Sequence, residues 1–426
     1  MRPLHELGAA ELVPLLARRE VSAEALVLSC LERMEAREPA VHAFAHFNPK
    51  QLLTEARALD QGAVRGPLHG LPLGVKDVFD TAEYPSEYGS PIYRGHQPVA
   101  DAACVAIARA SGALVFGKTV TTEFATFPPG PTANPRNPAH TPGGSSSGSA
   151  AAVADAMVPL AFGTQTSGSI IRPAAFCGAV GYKPSYGTLP RVGVKMISDS
   201  LDTVGAFARS VQDVALFVSA LAGRNFFPFD EGKARFKLAI CLTPQWPAAL
   251  PETQKLFEAL PARMQARGAT AGTLSLPAAF DGLAEAQGTI WDFEMARCLA
   301  DEYRRYPDLI RERLRQQLAG GWTIPPARYD AAQALARACR RQLDGALGDF
   351  DALVVPSAPG EAPAGLEATG DPVFNRLWSL LHTPAIHVPL GEGPNGLPLG
   401  VQVVGRIGDD ARALACARWI EQNLRA

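Results

Sequence analysis

Residue types suited to nucleophilic attack on a carbonyl gather in three short segments of this chain. In GLPLGVKDVFDT, an apolar, strand-like run delivers Lys76 and Asp77 at its end. A lysine acts as a base only when neutral, and an ordinary pKa of about 10.4 leaves roughly one in a few thousand neutral at pH 7. Desolvation supplies the missing shift, so a lysine carried into a closed site by an apolar strand suits this work, whereas one at an exposed strand end is merely solvated. In TPGGSSSGSAAAVADAM, Gly143, Gly144 and Gly148 bracket Ser145, Ser146 and Ser147 and run straight into an alanine-rich stretch. That makes the Gly/Ser run the N-terminal mouth of a helix, where N–H groups stand unpaired, rather than a flexible linker. Its glycine spacing also matches a phosphate loop, but Ser149 stands where the phosphate-binding lysine belongs. In VPLAFGTQTSGSIIRPAAFCG, a strand-like run breaks into a turn carrying Ser169, just before Pro173. Consecutive N–H groups in such a turn form an oxyanion hole, each donor worth about 10²–10³ in rate. A structural loop explains one such segment easily and three together poorly.

The elements that position these residues alternate along the chain. Leu26, Val27, Cys30, Leu31 and Met34 recur at helical spacing behind Ser22, a suitable N-cap. Strand-like runs follow as LPLGV, ALVFG, VPLAFG, KLAIC near 240, ALVVP near 354 and LGVQVVG near the end, with helical patterns between several of them. The interleaving predicts an α/β body, a sheet covered by helices on both faces with the site at strand ends and loops. Residues 1–426 are read as one domain, and 226–348 as a helical cap excursion with helices around 252–267, 282–305 and 330–347.

The rest of the composition narrows the function. With 426 residues, 47% hydrophobic and 19% charged, the chain buries a large core, and a net charge of −2 without basic blocks argues against nucleic acid or an anionic membrane as partner. Glu6, Glu11 and Arg18-Arg19-Glu20 interrupt the N-terminal region, so no secretion leader is read and a cytoplasmic protein is expected. Seven cysteines without a CxxC pair suit neither a disulfide framework nor a zinc site. Spacing alone leaves a catalytic Cys177 open, although its small apolar neighbours favour a packed thiol. Gly144 to Gly148 also satisfies GxSxG, with His382 or His387 late enough to complete a triad, but a nucleophile elbow needs a strand directly before it and NPRNPAHTPGG is turn-rich.

Taken with SAEALVLSCLERM, YGSPIY, SGALVFGKTVTTEFA, GYKPSYGTLPRVG, SDSLDTVGAFARS, HTPAIHVPLG and LPLGVQVVG, the three segments make the chain resemble the amidase signature family over nearly its whole length. The resemblance implies a central mixed sheet with helices on both faces and a helical cap. It also implies a serine hydrolase in which Ser169 is the nucleophile, Ser145 the bridging serine after a non-proline cis peptide, and Lys76 the base. The oxyanion donors it implies are the N–H groups of Thr166, Ser167, Gly168 and Ser169, and it calls for no metal, nucleotide or organic cofactor. The family loop GTDTGGSIR reads GTQTSGSIIR here, and the spacing from Ser169 to Arg172 is similar to that of malonamidases, whose arginine helps hold a substrate carboxylate. Bracing of the neighbouring backbone is the other role open to Arg172, and Tyr84, Tyr88 and Trp378 are candidates to line the pocket. The implied activity is cleavage of a small-molecule carboxylic amide, with a carbamate or ester hydrolase, or the A-type subunit of a tRNA-dependent amidotransferase, as alternatives. A non-catalytic subunit is disfavoured because all three catalytic positions are kept. A homodimer is compatible with the resemblance.

Overall fold

The computed structural model describes residues 2–226 and 236–425. Its strands are β1 (Phe44–Phe47), β2 (Pro72–Lys76), β3 (Leu114–Thr119), β4 (Leu160–Gln165), β5 (Val180–Lys183), β6 (Thr203–Ala208), β7 (Lys237–Ile240), β8 (Thr270–Thr273), β9 (Ala352–Pro356), β10 (Ala385–Glu392) and β11 (Pro398–Val404). Together they form one sheet of 11 strands, in the order β1-β3-β2-β4-β6-β5-β10-β11-β9-β7-β8. β2 lies between β3 and β4 and parallel to both, β7 is parallel to β8 and β9, and every other neighbouring pair is antiparallel. The sheet is therefore mixed, with helices covering both faces, as the sequence predicts.

β2, β3 and β4 are buried at every position. Strands buried on both faces read as continuous apolar runs, which is why these three are visible in the sequence. Because β2 and β4 run in the same direction, their carboxyl ends, Lys76 and Gln165, emerge at one edge of the sheet. The helix Ser147–Ala154 packs on β2, β3, β4 and β6. It enters so close to β3 that a Cβ on Gly148 would lie 2.2 Å from the Ala43 carbonyl oxygen and 2.4 Å from the Val120 nitrogen, so only glycine fits there.

The segment 226–348 departs from the helical excursion expected of it. Residues 227–235 lie outside the described residues. β7 and β8, joined through the helix Pro251–Ala266, extend the main sheet at its edge. The segment becomes purely helical only from Leu283 onward, in Leu283–Cys298, Ala300–Arg305, Glu312–Thr323 and Pro326–Leu347, apart from short 3-10 turns. Leu283–Cys298 packs against Glu312–Thr323, Pro326–Leu347 and Arg376–Leu380 and is buried around most of its circumference.

Candidate active site

Lys76 ends β2 with no exposed surface, its Nζ donating to Ser145 Oγ at 2.8 Å and to Thr164 Oγ1 at 2.7 Å. Burial lowers its pKa from 10.5 to about 7, with the charge of Asp202 opposing the fall. A large fraction of this lysine is thus neutral at physiological pH, which an exposed lysine never achieves.

Ser145 follows a cis peptide bond from Gly144 and is 1% exposed. Its carbonyl accepts from the Thr122 N–H at 3.3 Å, and the Gly144 carbonyl accepts from Arg172 Nη2 at 2.7 Å. Arg172 belongs to the helix Ile171–Cys177, which begins two residues after Ser169, so this bond ties the two serine-bearing segments together.

Ser169 sits in the turn between β4 and that helix. The Gln165 side chain organises the turn: its Oε1 accepts the N–H groups of Ile170 at 2.9 Å and Ile171 at 3.0 Å, while its Nε2 donates to Ser379 Oγ at 3.0 Å. The Ser379 hydroxyl in turn donates to the Ser167 carbonyl at 2.6 Å, and Gln287 Nε2 donates to Ser167 Oγ at 2.8 Å. One amide side chain thus accepts two N–H groups of the turn and donates to the helix Arg376–Leu380. Gly168 is required because a Cβ there would lie 2.4 Å from Asn375 Oδ1. Among the described residues, the N–H groups of Thr166, Ser167, Gly168 and Ser169 donate to no protein acceptor, leaving four adjacent donors beside the Ser169 hydroxyl.

The turn lines a small, tight cavity of about 10 Å³, walled by Phe127, Trp291 and Pro372 besides Ser169 and Arg172. Arg172 is buried, and its Nη2 also donates to Thr369 Oγ1 at 3.1 Å. Its Nε and Nη1, and Trp291 Nε1, are buried without a hydrogen-bond partner. Burial brings the Arg172 pKa down to about 9, so the guanidinium remains charged at neutral pH.

Three residues expected at the pocket stand elsewhere. The Tyr88 ring meets Tyr93 edge-on at 4.8 Å and its hydroxyl donates to Asp80 Oδ1 at 2.6 Å. Tyr84 is buried in the main core, and Trp378 is fully buried there. None of the three lines the cavity beside Ser169. Their large apolar surfaces are satisfied by the core, and the aromatic wall comes instead from Phe127 and Trp291, whose rings lie 5.1 Å apart. Sequence reading also missed Asp202, whose Oδ1 accepts from Thr166 Oγ1 and whose Oδ2 accepts the Ile197 N–H at 2.8 Å and the Ser198 N–H at 3.1 Å.

The histidines of the rival triad are occupied away from Ser145. His387 Nδ1 lies 2.7 Å from Ser357 Oγ, and His382 Nε2 lies 2.8 Å from the Ser200 carbonyl oxygen while its ring stacks on Tyr186. Desolvation lowers both to about 3, so neither is charged at neutral pH. Cys177 is buried, its Sγ donates to the Pro142 carbonyl, and burial pushes its thiol pKa up, as suits a packed thiol. Among the described residues no helix is long and apolar enough to cross a membrane.

Comparison with known proteins adds to this geometry. A sequence model of the family described as Amidase matches residues 25–414. The chain is 33% identical to the A subunit of the glutamyl-tRNA(Gln) amidotransferase of Anaeromyxobacter dehalogenans over an alignment of 480 positions, covering 99% of this chain and 97% of that one. It superposes on a crystal structure described as an amidase with a TM-score of 0.89 at 32% identity, covering 98% of this chain and 100% of the other. The peptide amidase of Stenotrophomonas maltophilia is similar at 30% identity and a TM-score of 0.84, with 100% and 98% of the two chains covered.

Proposed function

The chain belongs to the amidase signature family, and we propose that it hydrolyses small carboxylic amides, with Ser169 as nucleophile, Ser145 as proton relay and Lys76 as base. The observation that carries this reading is the fully buried Lys76 with its Nζ 2.8 Å from Ser145 Oγ. Neutral Lys76 takes a proton from Ser145 as Ser145 takes one from Ser169, whose oxygen attacks the amide carbon. The carbonyl oxygen gains charge against the N–H groups of Thr166 to Ser169, which need no reorganisation to receive it. The relay then returns the proton to the departing nitrogen, and water hydrolyses the acyl-enzyme by the same groups in reverse.

Arg172 supports a narrower substrate class. Two of its buried nitrogens and Trp291 Nε1 lack acceptors, and a carboxylate on the acyl portion of the substrate would pair with the guanidinium in the geometry that suits its fork. A second reading, the A-type subunit of an amidotransferase, is favoured by the name and identity of the curated relative. Against it stand the GTQTSGSIIR loop and an alignment running to 480 positions against a chain of 426. The deciding experiment incubates the purified chain alone with an amic acid, a neutral amide of equal size, glutamine, an ester and a urethane, and follows the products. Turnover of the amides is expected. Silence on every substrate until partner proteins and glutamine are added would replace this reading with the second, and turnover of only the ester or urethane would move it to the carbamate or ester alternative.

A further inference from the structure

We infer that Asp202 is the counter-charge for Lys76 in its protonated state, a positioning residue that acts from behind the oxyanion turn; the inference rests on Lys76 being the base. The antiparallel ladder of β4 and β6 pairs Gln165 with Thr203, so the next step beyond it sets Thr166 against Asp202. Thr166 Oγ1 donates to one carboxylate oxygen and two backbone N–H groups donate to the other. Both oxygens act as acceptors, as in an ionised carboxylate; burial raises the Asp202 pKa, and these three hydrogen bonds and the charge of Lys76 oppose that rise. Two residues back on the same face of β4, Thr164 Oγ1 accepts from Lys76 Nζ. Thr164, Thr166 and Asp202 line one small cavity of about 10 Å³, and Thr166 also lines the cavity beside Ser169.

Other charges near this spot are already engaged. Asp77, the residue after Lys76, pairs with Lys118 at 3.2 Å. Arg172 bonds the Gly144 carbonyl and Thr369. Of the two basic residues on the cavity wall, Lys195 pairs with Glu302, and Arg191 donates to the carbonyls of Asp199 and Asp202 while lying over the Tyr186 ring. Asp202 makes no ion pair with an arginine, lysine or histidine among the described residues, although it is buried. The proton leaving Ser169 turns Lys76 into an ammonium in a low-dielectric interior, where an unopposed charge is costly and a nearby carboxylate lowers its energy. Asp202 provides that carboxylate without touching substrate. The same charge keeps Lys76 a stronger base at rest than burial alone would leave it.

The test uses a fluorophosphonate probe, so it does not depend on knowing the substrate. Ser169 Oγ forms a bond to phosphorus, the P–F bond breaks, fluoride departs, and the serine proton passes through Ser145 to Lys76. In the native protein the labelling rate is expected to rise with pH through a midpoint of about 7. In Asp202→Asn the midpoint is expected to move down by about one pH unit and the plateau to fall by about tenfold, since a weaker base holds the proton less well. Asp202→Glu restores both toward native values. Thr166→Val, which removes the hydrogen bond but keeps the charge, lowers the plateau without moving the midpoint. Thermal unfolding of each variant verifies that it is folded. An unmoved midpoint in Asp202→Asn, or an equal movement in Thr166→Val, overturns the inference while leaving the serine mechanism standing. A native protein that takes no label on Ser169 at any pH overturns the serine mechanism and the inference with it.

Discussion

Lys76→Met is expected to abolish turnover and yet make the protein more stable at neutral pH. Burial lowers the lysine from 10.5 to about 7 in the fold, while in the unfolded chain it returns to its ordinary value. Between those two values the unfolded state binds more protons than the folded one, so stability falls as pH drops across that window and levels off below about 7. Each pH unit in the window is worth about 1.4 kcal/mol, and at pH 7 the accumulated penalty is about 4 kcal/mol. Methionine keeps the length and apolar stem of lysine without a proton to bind. It forfeits the bonds to Ser145 and Thr164, together about 2 kcal/mol. The net expectation is a variant more stable by roughly 2 kcal/mol near pH 7, with the advantage vanishing near pH 9. Lys183, also buried and lowered to about 7, contributes equally to both proteins and cancels in the difference. Urea unfolding of both proteins from about pH 6 to 9 reads the effect. A Met variant less stable than the parent at neutral pH, or a difference that does not change with pH, would refute the desolvated lysine on which the mechanism depends.

Ser169→Ala should leave thermal unfolding unchanged and reduce turnover by about 10⁶; near-native turnover would remove it as nucleophile. His382→Ala and His387→Ala should keep substantial turnover when compared at equal folded fraction, and a histidine variant as inactive as Ser169→Ala would reinstate the rival triad. Arg172→Met should lower kcat/KM on an amic acid by about 10–100-fold, the loss of a charged hydrogen-bonded pair, and affect a neutral amide of the same size far less. Equal loss on both would make Arg172 only a brace for the Gly144 carbonyl.

The parts of the site legible in the sequence were those whose burial leaves a local imprint. β2 and β4 are buried on both faces, so each reads as an apolar run, β2 ending in Lys76 and β4 leading into the turn that carries Ser169, and the Gly/Ser turns mark where the backbone must pass close to other groups. Asp202 left no such imprint. In SDSLDT it resembles any solvated turn residue, and only the pairing of β6 with β4 sets it beside Thr166. Trp291 was equally hidden, because a helix buried around most of its circumference shows no apolar stripe. Tyr84, Tyr88 and Trp378 failed for the opposite reason, since aromatic character announces burial without saying whether core or cavity receives the ring. The edge strand β8, TAGT, is short, partly exposed and lacks alternation, and the pairing of β5 with β10 joins residues far apart in the chain. Neither leaves a pattern in any local window.

The origins of the groups around the cavity divide unevenly along the chain. Lys76, Ser145, Ser169 and Arg172 come from β2, β4 and the turns and helices beside them. Two of the cavity walls, Trp291 and Pro372, come from segments far downstream. An exchange at Trp291 or a reshaped loop at Pro372 would therefore change the cavity while leaving untouched the strands and turns that carry Lys76, Ser145 and Ser169.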